Sequence, residues 1–294
     1  MKFNFRPIGL EDREAFRRYL DACPQVTSDY SFINLWSWSD VYGLEWAWTD
    51  ALVWILQQRP SLKYWAPIGA WSAVSWAAQF AWQETAPLEF VRVPEVLADI
   101  WQNVLGDRVT VTADRDQWDY VYAAADLIGL KGNRFHKKKS LVSQFEKKYV
   151  YRYEAMNTAL ADKALALQDD WCAWRQCASD VHLADENRVI WKVLSNWEFL
   201  PGVTGGCLLV DDMVAAYTVG ELVTDDTLVI HFEKGCPDYK GVYQTINQMF
   251  AAHQPSGLIW VNREQDLGDE GLRQAKMSYH PERFLEKFKI VVRR

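Results

Sequence analysis

Two short apolar runs near the end of the chain, Leu228 to Phe232 and Leu258 to Val261, each stop abruptly in charged and amide side chains. The first contains His231 and leads into Glu233 and Lys234. The second leads into Asn262, Arg263, Glu264 and Asp266, with Lys276, Tyr279 and His280 on the next segment. Core strands that end in polar groups restrict the chain to an α/β architecture, in which ligands sit beyond the carboxyl ends of the strands. Side chains alternate along a strand, so Leu228, Ile230 and Phe232 share one face and Val229, His231 and Glu233 the other. With helices over both faces, Glu233 lies in partly dry surroundings and requires a cationic or hydrogen-bonding partner, for which Arg263 and Lys276 are the candidates. Such a pair is either a structural tie at the end of the sheet or the centre of a site.

A length of 294 residues corresponds to one or two domains with ample core. Sixteen tryptophans, most of them before residue 120, are expected to fill that core, each buried N–H finding a partner; the alternative is an aromatic platform. The uncharged stretch Tyr64 to Gln83 is long enough to raise a membrane span. Pro67, Gly69, Ser72, Ser75 and Gln79 interrupt it, so it reads as a strand, a turn and a helix from Ser72 to Trp82, with no integral span. Residues 1–10 lack the apolar run of a secretory signal. Five cysteines without a CxxC pair indicate a reducing cytoplasm and argue against a disulfide framework or a zinc site; the histidines show no ligand spacing, and no metal is expected.

The net charge of −7 disfavours DNA and indiscriminate nucleic-acid binding. Residues 131–152 nevertheless gather Lys131, Arg134, His136, Lys137, Lys138, Lys139, Lys147, Lys148 and Arg152, with Glu146 the single acid. Such a segment neutralises phosphates, or is simply a solvated helix face. Within the helix expected from His136 to Tyr149, Lys138 falls inside the apolar arc of Leu141, Val142 and Phe145. It either snorkels or reaches into a cleft, and snorkelling is the expectation.

The elements fall into two successive α/β units, 1–126 and 127–294. The first has strands at Phe3–Pro7, Leu52–Gln57, Leu88–Val93, Val109–Ala113 and Tyr120–Ala123, with helices at Leu10–Leu20 and from Pro94 to Leu105. Residues 127–133 read as a connector. The second unit has a strand Tyr151–Ala155, helices around Leu160–Ala178 and Arg188–Glu198, and a hairpin of Cys207–Val210 with Val214–Val219 turning at Asp211-Asp212. A strand ending at Glu233, a helix Val242–His253, the strand ending at Val261 and a tail Phe284–Val292 complete it.

This order in the second half resembles the GNAT acyltransferase fold. The runs His231-Phe-Glu-Lys-Gly235, Gly241-Val-Tyr-Gln-Thr-Ile-Asn247, Val261-Asn-Arg-Glu-Gln-Asp-Leu-Gly268 and Gly271-Leu-Arg-Gln-Ala-Lys-Met-Ser-Tyr279-His-Pro281 are similar to a bacterial family grouped with the carboxy-terminal domain of phosphatidylglycerol lysyltransferases. Ser28-Asp-Tyr-Ser-Phe-Ile-Asn-Leu-Trp-Ser-Trp38 and Lys131-Gly-Asn-Arg-Phe-His-Lys-Lys-Lys139 extend the resemblance over nearly the whole chain. It implies two tandem GNAT-like domains with mixed sheets flanked by helices, the first a scaffold and the second carrying the site. It further implies transfer of an aminoacyl group from aminoacyl-tRNA to a small-molecule or lipid acceptor. The chain departs from those enzymes in lacking their multi-helix membrane portion, which puts a phospholipid acceptor in doubt.

On this resemblance Glu233 binds the donor's amino group or acts as base, and Arg263 and Lys234 hold phosphate or developing charge. His231, Tyr243, Asn247, Asn262, Glu264, Asp266, Lys276 and Tyr279 shape the pocket, while Lys137, Lys138 and Lys139 contact tRNA. Coenzyme A is the weaker donor: where acetyltransferases place a Gln/Arg-x-x-Gly-x-Gly/Ala loop at a helix start, this chain has Asp238-Tyr-Lys-Gly241-Val-Tyr243. The two rival readings are an acyl-CoA-dependent N-acyltransferase acting on a small amine and a non-catalytic small-molecule-binding protein.

Overall fold

Alternating apolar residues build two seven-stranded mixed sheets, and a computed structural model describes them through residues 3–81 and 87–293. In chain order the strands are β1 (Arg6–Pro7), β2 (Leu44–Trp48), β3 (Leu52–Gln57), β4 (Lys63–Gly69), β5 (Leu88–Pro94), β6 (Val109–Ala113), β7 (Asp119–Ala123), β8 (Tyr151–Ala155), β9 (Val203–Val210), β10 (Met213–Thr224), β11 (Thr227–Gly235), β12 (Trp260–Asn262), β13 (Arg283–Leu285) and β14 (Lys287–Val292). The first sheet runs β1-β2-β3-β4-β5-β14-β6 and the second β13-β7-β12-β11-β10-β9-β8. Both are largely antiparallel, and each includes a parallel pair, β4 with β5 and β11 with β12. The chain divides into two compact units, Met1–Tyr120 with Gln265–Arg273 and Phe284–Arg294, and Val121–Glu264 with Gln274–Arg283.

The tail expected to close the second unit instead lies in the first sheet, where β14 pairs antiparallel with β5 and β6 and buries Ile290 and Val292 completely. β7, expected to finish the first unit, pairs with β12 in the second sheet. Both are pairings between strands more than a hundred residues apart, which hydrophobic alternation does not specify. The expected connector begins as a helix, Ala124–Gly129, before the chain turns through left-handed Leu130 and Gly132. Between Ser72 and Trp82 a short 3₁₀ turn, Trp71–Ala73, and the helix Trp76–Gln79 replace the single helix expected; Trp82 and Gln83 lie outside the described residues.

Tryptophan packing makes the core of the first unit. Trp46, Trp54, Trp65, Trp71 and Trp101 are fully buried, and edge-to-face contacts such as Phe90 on Trp101, 4.8 Å between centroids, join them. Trp65 and Trp71 donate to Gln57 Oε1 and Pro67 O, whereas the buried Nε1 atoms of Trp46, Trp48, Trp54 and Trp101 have no protein acceptor, contrary to the expectation that every indole N–H finds one. One charged cluster crosses this apolar interior. Buried Lys287 binds Asp29 and Asp119, the latter at 2.6 Å, and Arg92, stacked 4.3 Å over Trp65, also pairs with Asp29. Burial alone would raise the Asp29 carboxyl, but Lys287 and Arg92 outweigh it and hold it below the usual range.

In the second unit, helix Val242–Ala252 buries Val242, Ile246, Asn247 and Phe250, and helix His136–Lys148 adds Val142 and Phe145. Asn157 caps helix Thr158–Arg175 by accepting from Leu160 N, and Asp180 caps helix Val181–Leu194. Cys172 and Cys177 are joined by a disulfide at the turn between those helices, which the cysteine pattern does not anticipate; Cys23, Cys207 and Cys236 are free and buried. No helix among the described residues is long and apolar enough to cross a membrane.

Candidate functional site

β11 and β12 run parallel only where Thr227, Leu228 and Val229 face Trp260, Val261 and Asn262. Beyond Val229, β11 continues to Gly235 paired with β10 alone. Parting parallel strands leave backbone groups and side chains free to meet a ligand. His231 marks the parting: Val219 faces Phe232 while the adjacent Gly220 faces Ile230, so His231 is the extra residue of a β-bulge. The bulge breaks the strict alternation expected along this strand.

Two side-chain pairs span the parted ends. The Arg263 Nη2 donates to Glu233 Oε1 at 3.1 Å, and Asn247 Nδ2, from the helix behind, donates to Glu233 Oε2 at 2.9 Å. Of the two cations foreseen for Glu233, Arg263 is therefore the partner, while Lys276 donates its ammonium to the Arg263 carbonyl and steadies the loop. The Arg263 guanidinium lies 4.8 Å from the Tyr279 ring centroid, and burial pushes the Tyr279 phenol up to about 12. The second pair is His231 Nδ1 with Glu264 Oε1, 2.8 Å apart, with Glu221 Oε2 3.8 Å from Nε2. Burial on its own would lower the His231 pKa, but the two carboxylates outweigh it and raise it to about 9. Glu264 takes a left-handed backbone, φ 57°, and its N–H donates to Asn262 Oδ1 at 2.8 Å. A non-glycine residue in that region is strained unless its surroundings hold it, as this clamp does.

Lys138 does not snorkel. Its Nζ lies 4.2 Å from the centroid of Tyr279, and desolvation together with the Arg263 charge lowers its pKa. Lys137 and Lys139 are exposed. The fold thus gathers Glu233, Arg263, Asn247, Tyr279, Lys276 and Lys138 into one cluster and His231, Glu264 and Asn262 into a second beside it.

Other expected site residues are used elsewhere. Lys234 pairs with Glu186 at 2.7 Å and sits 3.9 Å over Trp171, while Tyr243 accepts from Trp171 Nε1 and donates to Gly235 O, both at 3.0 Å. Asp266, expected to shape the pocket, is wholly buried in the first unit, where Arg115, Arg273, Tyr120 and the Gly268 N–H occupy its carboxylate and hold its pKa at about 2. A carboxylate so fully bonded has no capacity for a ligand. Sequence reasoning missed Glu221, although a lone acid inside the apolar strand Met213–Thr224 was the available signal. It also missed Glu186 and Trp171, which no local pattern distinguishes.

The chain is 31% identical to a conserved protein of unknown function from Bacteroides thetaiotaomicron VPI-5482, with a TM-score of 0.91 over 99% of this chain and 100% of that one. It shares a fold with the C-terminal domain of a putative lysylphosphatidylglycerol synthetase from Agrobacterium fabrum (14% identity, TM-score 0.65, 96% and 92% covered) and with L-PGS from Bacillus licheniformis (11%, 0.67, 99% and 94%). No curated protein matches significantly. The fold consists of two mixed sheets flanked by helices, and residues 21–291 match the model of phosphatidylglycerol lysyltransferase, C-terminal. On that match the chain belongs to the family of the phosphatidylglycerol lysyltransferase C-terminal domain.

Proposed function

We propose that the chain is an aminoacyl transferase that moves an aminoacyl group from aminoacyl-tRNA to an acceptor nucleophile, using the parted ends of β11 and β12. The observation that carries this reading is the half-buried Glu233–Arg263 pair at that opening, in a chain of this family. An acceptor amine or hydroxyl attacks the ester carbonyl, the bond from that carbonyl to the terminal ribose oxygen breaks, and the proton released by the acceptor ends on the ribose oxygen. The donor ester is already reactive, so the protein's tasks are positioning and charge stabilisation. Arg263 faces the developing oxyanion. Glu233, which keeps acceptor capacity beyond its two bonds, receives the ammonium of the aminoacyl group. The reading calls for no bound cofactor and implies access to cytoplasmic tRNA.

The Val242 N–H, which an acyl-CoA pyrophosphate would need at the start of this helix, is turned to Tyr239 O, so the coenzyme A reading gains no support. The deciding assay follows a labelled amino acid from charged tRNAs to acceptor fractions. Transfer is expected, and Glu233→Gln is expected to slow it about 100-fold while the protein still folds. Absence of transfer from every charged tRNA, with coenzyme A binding in its place, would overturn the proposal.

A further inference from the structure

An outer strand left open pairs with any strand of matching register unless it is short, charged or covered. Among the described residues, three of the four outer strands are blunted: β1 has two residues, β13 has three, and β8 carries Arg152 and Glu154. β6 differs. It reads Val109-Thr-Val-Thr-Ala113, five uncharged residues rich in strand formers, and none of them is buried. At the two ends of its ladder with β14, Asp114 N donates to Lys287 O and Arg293 N to Arg108 O. The alternation of an antiparallel pair then puts the remaining inward bonds on Thr110 and Thr112. The peptide groups of Val109, Val111 and Ala113 therefore point away from the sheet. Apart from the Val109 N–H, which turns back to Gly106 O, they have no partner among the described residues.

From this we infer that β6 is a docking edge for a second copy of the chain, the two β6 strands running antiparallel about a two-fold axis at Val111. Charge complementarity selects a second copy. That axis sets Val111 against Val111, Thr110 against Thr112 and Val109 against Ala113, and it brings Arg108 of each copy to Asp114 of the other. Both residues keep bonding capacity, since Arg108 uses Nε and Nη2 for Arg293 O and Phe80 O, and Asp114 uses Oδ1 for Lys289. The two Val111 residues exchange their outward bonds, the Val109 carbonyls accept from the Ala113 N–H groups, and the threonines form cross-strand pairs. Opposite charges thus close both ends of a ladder whose middle is uncharged, a match that an unrelated strand lacks. One five-residue edge buries less than a standard interface of about 1,200 Å², so the dimer is expected to dissociate on dilution. The pairing is independent of the transferase reading.

The test is sedimentation velocity of the full chain over a rising concentration series, in which a monomer–dimer equilibrium is expected. Val111→Pro removes an outward donor without touching the bonds to β14, and is expected to weaken dimerisation about tenfold with unchanged circular dichroism. Arg108→Glu sets like charges together at both ends of the ladder and is expected to weaken it by a similar factor, more at low salt than at high. Val111→Cys is expected to cross-link two chains on mild oxidation, whereas Thr112→Cys, which faces Thr110 across the axis, is not. A monomer at every concentration, or a dimer that both Val111→Pro and Arg108→Glu leave intact, overturns the docking edge. Cross-linking through Thr112→Cys in place of Val111→Cys overturns the axis at Val111.

Discussion

The imidazole of His231 is held between two carboxylates, with Glu264 2.8 Å from Nδ1 and Glu221 3.8 Å from Nε2, and its own side chain is fully buried. A histidine raised from 6.5 to about 9 binds its proton more tightly in the folded state. Its contribution to stability, of order 3 kcal/mol, is therefore complete below pH 6.5 and lost as pH rises through about 9. Urea unfolding of wild type at pH 6 and pH 9.5 is expected to show this loss, and His231→Asn to show a flatter pH dependence over the same interval.

Asn247 donates to Glu233 from a position 1% exposed. Asn247→Asp replaces that donor with a second carboxylate, leaving two like charges in contact and Arg263 with both. The variant is expected to lose about 2–4 kcal/mol at neutral pH. Part of the loss returns as the pH falls to 4, because two carboxyls in contact take up one shared proton more readily than a lone carboxyl. Thermal unfolding across that pH range measures it, and equal destabilisation at pH 4 and pH 8 would contradict the contact.

In the first unit, Lys287→Met strands Asp29 and Asp119 in the core, with Arg92 left to compensate Asp29 alone. Breaking one side of a buried ionic group costs about 3–5 kcal/mol, whereas removing all of it costs much less. Lys287→Met is expected to lower the denaturation midpoint strongly, and adding Asp29→Asn and Asp119→Asn to recover a substantial part.

Gly241 has φ 89°, and a Cβ there would lie 2.3 Å from the Leu141 carbonyl oxygen. Gly257 has φ 121° but open space around it. Gly241→Ala therefore adds a backbone clash to conformational strain and is expected to cost more than about 2 kcal/mol, against about 1 for Gly257→Ala. Comparable losses for the two would remove close packing as the reason for the glycine.

The polar ends of β11 and β12 were legible because apolar runs that stop in charges are a local pattern, and Glu233, Arg263, Asn247 and Tyr279 do meet there. Lys138 was misread because helical spacing places it on the apolar arc without saying what stands opposite; only the approach of Tyr279 turns that position into a cleft contact. Asp266 was misread for the converse reason. Immediately after Glu264 the chain passes into the first unit, where Arg115 and Arg273 take the charge of Asp266.

By itself the sequence determined the elements and the chemistry available to them: the tryptophan core, the strands, the helix of lysines and the group of ionisable residues after β11 and β12. These follow from short-range periodicity and residue type, which act through neighbours in the chain. Only the tertiary structure decided that β7 leaves the sheet of β6 and β14 that of β13, that His231 bulges between two carboxylates, and that Lys138 shares a ring with Arg263. Those outcomes depend on contacts between residues far apart along the chain, whose energies are set by mutual burial and charge.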